Sequence, residues 1–125
     1  MIRRVLIVDD NALVRRALCD LFTREVDFEI CGEAGDGKEA IEKAQQLHPD
    51  LIVTDLSMPI MNGLEEARLL KRLFPSVRII IYTNHSDPFV EKEALSAGAA
   101  AVISKSEAAK ALISKARSFF DEVAA

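Results

Sequence analysis

Five short runs of apolar residues alternate along the chain with stretches in which apolar residues recur at helical spacing. The runs are mostly continuous rather than alternating, which is typical of strands buried on both faces of a sheet. They are Val5–Val8, Phe28–Cys31, Leu51–Thr54, Ile79–Tyr82 and Ala101–Ile103. Because helices usually cover both faces of a parallel sheet, the pattern predicts parallel strands.

Five helices are predicted between and after these strands. The clearest apolar stripes comprise Leu13, Val14, Ala17, Leu18, Leu21 and Phe22 in the first helix and Leu112, Ala116, Phe119, Phe120 and Val123 in the last. Weaker stripes comprise Ala40, Ile41, Ala44 and Leu47, then Ala67, Leu70 and Phe74, then Val90, Ala94 and Leu95. A fivefold strand–helix alternation predicts an α/β fold, a doubly wound parallel sheet with right-handed crossovers.

Residues with turn and capping preferences stand between the predicted elements. Asn11 can cap the first helix, "GDGK" at 35–38 turns into the second, and Gly98 is placed to end the fourth. "NG" at 62–63 predicts a turn that enters the third helix. No linker or repeat interrupts the pattern, so we expect one domain over residues 1–125.

Composition and charge exclude several classes of protein. Half of the 125 residues are apolar and 29% are charged, as in an ordinary globular protein. The net charge of −4, without a prominent Lys/Arg cluster, argues against direct binding of nucleic acid. The apolar runs have strand length, so we expect no membrane segment and a cytoplasmic protein. Cys19 and Cys31 have no metal-site spacing and are interpreted as reduced, small hydrophobic residues.

Polar side chains follow four of the five predicted strands. Asp9 and Asp10 follow the first, Asp55 the third, Thr83 ends the fourth, and Lys105 follows the fifth. Because the carboxyl ends of parallel strands meet at one edge of a sheet, we expect these groups to converge. Three adjacent carboxylates raise one another's pKa unless a hard divalent cation compensates their charge, and Mg²⁺ fits best.

The same groups suggest phosphoryl chemistry. Mg²⁺ binds through one or two protein carboxylates and a phosphate, which leaves a further carboxylate free to react. Asp55, alone at its strand end, is the candidate nucleophile, since a carboxylate can attack a phosphoryl group to form an acyl phosphate. Lys105 and Thr83 can hold phosphoryl oxygens, one by charge and the other by its hydroxyl.

Each of these residues also has a plainer explanation when taken alone. Asp9 and Asp10 can cap a helix and favour its dipole, and Asp55 can form a turn. Thr83 suits a strand end, and an isolated Lys105 suits solvent. The conjunction of complementary groups at separate strand ends is what favours a site.

Four segments carry a resemblance to a known family. "VLIVDD", "PDLIVTDLSMPIMNGLE", "IIIYT" and "SAGAAAVISKS" occur in order, and over essentially the whole chain the sequence resembles a response-regulator receiver domain of two-component signal transduction. The resemblance implies a (βα)5 flavodoxin-like fold with strand order 2-1-3-4-5. The resemblance also implies a phosphorylation-dependent switch rather than an enzyme acting on other molecules.

The resemblance assigns roles around a magnesium ion. Asp55 is similar to the family's phosphoacceptor, and Asp10 to the acid that ligates Mg²⁺ directly. Asp9 resembles the acid that acts through a metal-bound water, and the backbone carbonyl of Ser57 resembles the main-chain ligand. Thr83 and Lys105 match the groups that bind phosphoryl oxygens.

The resemblance further implies partners. A sensor histidine kinase would supply the phosphoryl group from a phosphohistidine, and the receiver would itself catalyse the transfer and the later hydrolysis. The "SMPIMNGLEEA" region is similar to receivers that precede a helix-turn-helix DNA-binding domain, which this chain does not contain. We therefore expect either a stand-alone receiver or part of a longer regulator, able to form a homodimer on activation.

Several residues need separate interpretation. Val102 stands where the family usually has Tyr or Phe, and Asn84 where a small residue is usual. Ser57 and His85 occupy positions that commonly tune dephosphorylation in the family, although His85 is equally well explained as a loop residue. His48 is interpreted as a surface residue and not as a phosphorelay histidine.

Two other functions compete with this interpretation. One is a binding module that keeps the fold but signals without phosphate, for which Val102 and Asn84 are the motivating departures. The other is a phosphohydrolase of the haloacid-dehalogenase kind, which also uses an aspartyl phosphate. That class expects a second acid two residues after the nucleophile, where this chain has Ser57 after Asp55.

Overall fold

Five strands and five helices alternate along the chain. The computed structural model describes residues 1–84 and 86–120. The strands are β1 Arg3–Val8, β2 Phe28–Ala34, β3 Leu51–Thr54, β4 Arg78–Thr83 and β5 Ala101–Ser104. The helices are α1 Ala12–Thr23, α2 Gly37–Leu47, α3 Gly63–Leu73, α4 Pro88–Ala97 and α5 Ala109–Ser118. The strands are parallel, in the order β2-β1-β3-β4-β5, which confirms the predicted fold and strand order.

A hydrophobic core covers each face of the sheet. On one face, Leu6 and Ile52 belong to a cluster that includes apolar residues of α2, α3 and α4. On the other face, Val5 and Val53 pack with residues of α1 and α5. Neighbouring residues of one strand point to opposite faces, so these continuous apolar runs supply both cores at once.

The helix ends follow the predicted capping residues. Asn11 caps α1, where its side chain accepts hydrogen bonds from Leu13 N and Val14 N. Asp36 caps α2, and Asn62 forms a capping box with Glu65 at the start of α3. Gly98 ends α4 in the left-handed region, with φ 110°, which an L side chain rarely adopts.

The predicted apolar stripe of α1 is wrong at two positions. Leu13 is 80% exposed and Ala17 is also exposed, whereas Leu18 and Phe22 are buried. At about 100° per residue, Leu13 lies about 180° around the helix from Phe22, so the two side chains point in opposite directions. The apolar face is therefore narrower than the count of apolar residues indicated.

Other differences concern element lengths and ends. β2 continues to Ala34, three residues beyond the predicted end, and its register with β1 shifts between Val5 and Leu6. Leu95, predicted on the apolar face of α4, is 47% exposed. Val123, predicted on the last helix, lies outside the described residues.

The two cysteines are far from forming a disulfide. Cys19 packs against the core on the α1 and α5 side of the sheet, and Cys31 packs against the core on the other side. Both thiols are free. Burial, with the nearby Glu33 carboxylate, raises the pKa of Cys19 to about 11, so this thiol stays protonated at neutral pH.

Among the helices of the described ranges, none combines the length and the apolar character needed to cross a membrane.

Candidate functional site

The backbone ladder of the sheet brings the predicted side chains to one edge. Asp9 N donates to Ala34 O at 3.1 Å, Asp55 N donates to Val8 O at 3.0 Å, and Lys105 N donates to Thr83 O at 2.9 Å. Each bond continues a strand pairing past the last regular residue. The backbone that carries these side chains is therefore fixed by the hydrogen bonds of the sheet.

Three carboxylates meet at this edge. One oxygen from each of Asp9, Asp10 and Asp55 lies within 4.8 Å of the others. Asp9 is 1% exposed, Asp55 is half-buried and Asp10 is exposed. The cluster is thus open on the Asp10 side and enclosed on the Asp9 side.

Lys105 lies between two of these carboxylates. Its Nζ is 3.1 Å from Asp9 Oδ2 and 3.4 Å from Asp55 Oδ2. Partial burial tends to lower the pKa of Lys105, but hydrogen bonds and attraction to the two carboxylates outweigh it and hold the pKa above its usual value. The lysine is therefore charged, and it supplies one positive charge against three carboxylates.

The donor set fits a magnesium ion. Hard oxygen ligands are what Mg²⁺ prefers, and one or two carboxylates with an open side suit its habit of keeping several waters. Asp9, Asp10 and Asp55 supply such oxygens within reach of one another. The negative charge that Lys105 leaves uncompensated is an electrostatic reason for a cation to bind here.

The helix-cap explanation of the acidic pair does not agree with the structure. Asn11, not Asp9 or Asp10, is the residue that caps α1. Asp9 is instead fixed by other groups: its Oδ1 accepts from Asn11 N at 2.9 Å, and its backbone oxygen accepts from Arg15 Nη1 at 2.8 Å. These hydrogen bonds fix Asp9 and do not involve the side chain of Asp10.

The loop after Asp55 is fixed close to that residue. Leu56 N donates to Asp55 Oδ1 at 2.8 Å, and Gly63 N donates to Leu56 O at 2.9 Å. A Cβ atom at Gly63 would lie 2.4 Å from Asp55 O, so only glycine allows α3 to begin this close to the strand end. Ile60, at the exposed tip of this loop, has φ 68°, which is strained for a β-branched residue.

The remaining predicted residues lie around the same edge. Thr83 is fully buried at the end of β4, paired in register with Ser104, which precedes Lys105. Ser57 and Asn84 are exposed on loops. Val102 is half-buried against the core on the α2, α3 and α4 side.

One predicted position falls in the gap between the two described ranges. His85, which sequence reasoning considered for dephosphorylation, lies outside the described residues.

The exposed position of His48 confirms that it is a surface residue, and its ring packs edge-on against Phe74 at 6.3 Å between centroids.

Sequence reasoning missed a buried acid next to this site. Glu66 in α3 is fully buried, and its Oε1 lies 2.7 Å from Thr54 Oγ1. No described residue hydrogen-bonds its Oε2. Burial raises the pKa of Glu66 to about 8. The hydrogen bond with Thr54 acts against this shift, and the charge of Asp36 adds to it. Glu66 lies four residues before Leu70, on the same side of the third helix as the predicted apolar stripe. This helical spacing was the signal in the sequence that could have indicated its burial.

Comparison with known proteins agrees with this arrangement. The family model of the response regulator receiver domain matches residues 5–117. The chemotaxis protein CheY of Thermotoga maritima is 39% identical over 97 residues, which cover 78% of this chain and 80% of that protein.

Longer proteins contain a similar segment. The transcriptional regulatory protein LnrK of Bacillus subtilis is 33% identical over 110 residues, which cover 88% of this chain and 50% of that protein. The chain therefore aligns with about half the length of that regulator.

A solved structure shares the whole fold. The crystal structure of the CheX-CheY-BeF3-Mg²⁺ complex from Borrelia burgdorferi matches with a TM-score of 0.90 and 28% identity. The match covers 96% of this chain and 90% of that chain.

Proposed function

The chain belongs to the response regulator receiver family, and on that premise we propose that it is a signalling switch that accepts a phosphoryl group on Asp55 with the help of Mg²⁺. The observation that carries the proposal is the convergence of Asp9, Asp10 and Asp55 with the charged Lys105 at one edge of the sheet. The similar CheY of Borrelia burgdorferi was crystallised with BeF3 and Mg²⁺, which supports the same ligand chemistry here.

We propose that the carboxylates divide into metal ligands and a nucleophile. Asp10, the exposed member, would ligate Mg²⁺ directly, and the buried Asp9 would assist through a water molecule. Asp55 and the backbone carbonyl of Ser57 would complete the protein ligands. When bound, the cation supplies positive charge that neutralises the phosphoryl oxygens.

Transfer of the phosphoryl group to Asp55 depends mainly on how the reacting groups are positioned. An Asp55 carboxylate oxygen forms a bond to phosphorus while the bond from phosphorus to a kinase histidine nitrogen breaks, so the phosphoryl group moves intact and the nitrogen keeps the electron pair. Lys105 Nζ, 3.4 Å from Asp55 Oδ2, is placed to pair with a phosphoryl oxygen, and the Thr83 hydroxyl is the second donor. Because the transition state is loose, fixed charges and alignment supply most of the catalysis.

Partners follow from the same proposal. A sensor histidine kinase supplies the phosphoryl group, and the chain catalyses only its own phosphorylation and dephosphorylation. The receiver unit comprises residues 1–125, of which residues 5–117 match the family. LnrK, a transcriptional regulatory protein, is about twice as long as the matched segment, which supports a DNA-binding output domain in the natural protein as part of the proposal. Homodimerisation on activation is a further part of the proposal.

The output step is proposed to differ from the one usual in the family because of the residue at position 102. Val102 is a half-buried aliphatic residue, where an aromatic ring is usual in the family. We propose that a shift of Thr83 toward the phosphoryl group changes the packing around β5 without a swinging ring. Asn84 is exposed beside Thr83, and we propose that its side chain narrows the approach to Asp55.

Chemical mapping tests the proposed acceptor. The protein is incubated with acetyl phosphate and Mg²⁺, then reduced with borohydride, which converts an aspartyl phosphate to homoserine. Peptide mass spectrometry should find homoserine at position 55 only in samples that contained Mg²⁺. Homoserine at another aspartate, or at none, would contradict the assignment of Asp55.

A further inference from the structure

Glu66 contacts the phosphoacceptor strand from inside the core. The side chain is fully buried in α3, while its neighbour Glu65 is exposed. Glu66 Oε1 lies 2.7 Å from the hydroxyl oxygen of Thr54, the residue directly before Asp55. The proposed phosphorylation site does not use this acid, so its presence needs a separate explanation.

The Thr54 hydroxyl is within hydrogen-bond distance of two oxygens. Thr54 Oγ1 lies 2.7 Å from Glu66 Oε1 and 3.1 Å from the backbone oxygen of Asp55. A hydroxyl has a single hydrogen to donate. If Glu66 were ionised, both neighbours would be acceptors, and one of the two contacts would lack a hydrogen.

A proton on Glu66 Oε1 resolves this conflict. Glu66 then donates to Thr54 Oγ1, and Thr54 donates to Asp55 O, so both contacts are hydrogen bonds. Oε2 becomes a neutral carbonyl oxygen, which is less costly to leave without a partner in the core than a charged carboxylate oxygen. The nearby negative charge of Asp36, at the start of α2, also favours the neutral acid.

The peptide group between Asp55 and Leu56 extends this chain to the carboxylate. Its oxygen is the acceptor for Thr54, and its N–H, on Leu56, donates to Asp55 Oδ1 at 2.8 Å. A peptide group is rigid and planar, so its C=O and N–H turn together. A rotation that breaks the Thr54 bond therefore also moves the donor away from Asp55 Oδ1.

We propose that Glu66, as a neutral hydrogen-bond donor, is a positioning residue that orients the Asp55 carboxylate through Thr54 and the peptide between Asp55 and Leu56. The effect on phosphorylation rests on the proposed function of Asp55, but the hydrogen-bond chain does not. Glu66→Gln keeps a neutral donor in its amide group, whereas Glu66→Leu removes the donor. Thr54→Ser keeps the hydroxyl, and Thr54→Val removes it.

Infrared spectroscopy tests the proton directly. The wild-type protein at neutral pH should show the C=O stretching band of a protonated, buried carboxylic acid, and Glu66→Gln should lose that band. Glu42→Gln is the matched control, because Glu42 is an exposed glutamate in α2, and it should leave the band unchanged. A wild-type spectrum without this band would overturn the neutral donor.

Nuclear magnetic resonance tests the link to Asp55 without any phosphorylation. The ¹³C chemical shift of the Asp55 backbone carbonyl should change in Glu66→Leu and in Thr54→Val. It should stay near its wild-type value in the conservative variants Glu66→Gln and Thr54→Ser. A dispersed amide spectrum of each variant establishes that this variant is folded. An unchanged Asp55 shift in folded Thr54→Val would overturn the chain.

The rate of phosphorylation by acetyl phosphate with Mg²⁺ tests the consequence. We expect Glu66→Leu and Thr54→Val to be slower by up to about tenfold, the size of one hydrogen bond's net contribution, and Glu66→Gln to stay within about twofold of wild type. Equal rates in all variants would overturn the positioning role. A wild-type protein that takes no phosphoryl group would instead refute the proposed function, and the Asp55 carbonyl shift would still decide the hydrogen-bond chain.

Discussion

Lys105 Nζ lies 3.4 Å from Asp55 Oδ2, although the two residues follow strands that are separated in the sheet by β4. The same amine lies 3.1 Å from the buried Asp9. Lys105 is therefore the counter-charge of the acidic cluster as well as a candidate ligand for a phosphoryl oxygen. The two roles can be separated by experiment.

Replacing Lys105 should destabilise the metal-free protein. Lys105→Met leaves the carboxylate of Asp9, which is 1% exposed, without its charged partner. We expect the free energy of unfolding to fall by about 1–3 kcal/mol in urea titrations without Mg²⁺. Part of this loss should return when Mg²⁺ is added. Lys110→Met, at an exposed position of α5, is the control, and an equal loss in both variants would refute the account.

Replacing Asp10 should weaken magnesium binding without unfolding the protein. Asp10 is exposed and does not cap α1, so Asp10→Ala should change the free energy of unfolding by less than about 0.5 kcal/mol. The dissociation constant for Mg²⁺, measured by calorimetry, should rise by at least about tenfold. Unchanged Mg²⁺ binding and phosphorylation would mean that the acidic pair does not form the metal site.

Glu66 should give the stability of the protein a pH dependence that Glu66→Gln lacks. The pKa of Glu66 is about 8 in the folded protein and near its ordinary value of 4.5 in the unfolded chain. Between these values the folded state holds a proton that the unfolded state has lost. The free energy of unfolding of wild type, relative to Glu66→Gln, should therefore fall by about 1.4 kcal/mol for each pH unit from 4.5 to 8.

Urea titrations of both proteins at pH 5.5 and pH 7.5 measure this difference, since the other groups titrate alike in the two chains. Parallel curves for wild type and Glu66→Gln would show that Glu66 has an ordinary pKa in the folded protein.

Relieving the strained loop should stabilise the protein. Ile60 has φ 68° and is 76% exposed. Packing of its side chain therefore offsets little of the backbone strain. Ile60→Gly removes the clash of Cβ with the backbone, and the larger entropy of an unfolded glycine offsets part of the gain. We expect the free energy of unfolding to rise by about 1 kcal/mol in thermal or urea denaturation. A destabilised Ile60→Gly would contradict this explanation.

Most of the fold could be predicted from the sequence because its signals are local. Continuous apolar runs mark strands buried on both faces, and Asn11 and Gly98 mark helix ends through their own backbone and side-chain preferences. The meeting of Asp9, Asp55 and Lys105 followed from the topology, since parallel strands bring their carboxyl ends to one edge.

What could not be predicted depends on contacts between distant elements. Helical spacing does not show which part of an apolar surface reaches the sheet, so the predicted stripe of α1 includes Leu13 although this residue is exposed. Glu66 was missed because charged residues were assigned to solvent, whereas burial against Thr54 keeps this one in the core. The strain at Ile60 belongs to the path of the loop between β3 and α3, and no residue preference at position 60 signals it.

Intact-protein mass spectrometry shows most directly whether Asp55 accepts a phosphoryl group with Mg²⁺. Wild type, Asp55→Asn and the exposed-site control Asp20→Asn are incubated with acetyl phosphate, each with and without Mg²⁺. We expect wild type and Asp20→Asn to gain the mass of one phosphoryl group only with Mg²⁺, and Asp55→Asn to gain none. No gain in wild type, or an equal gain in Asp55→Asn, would contradict the claim.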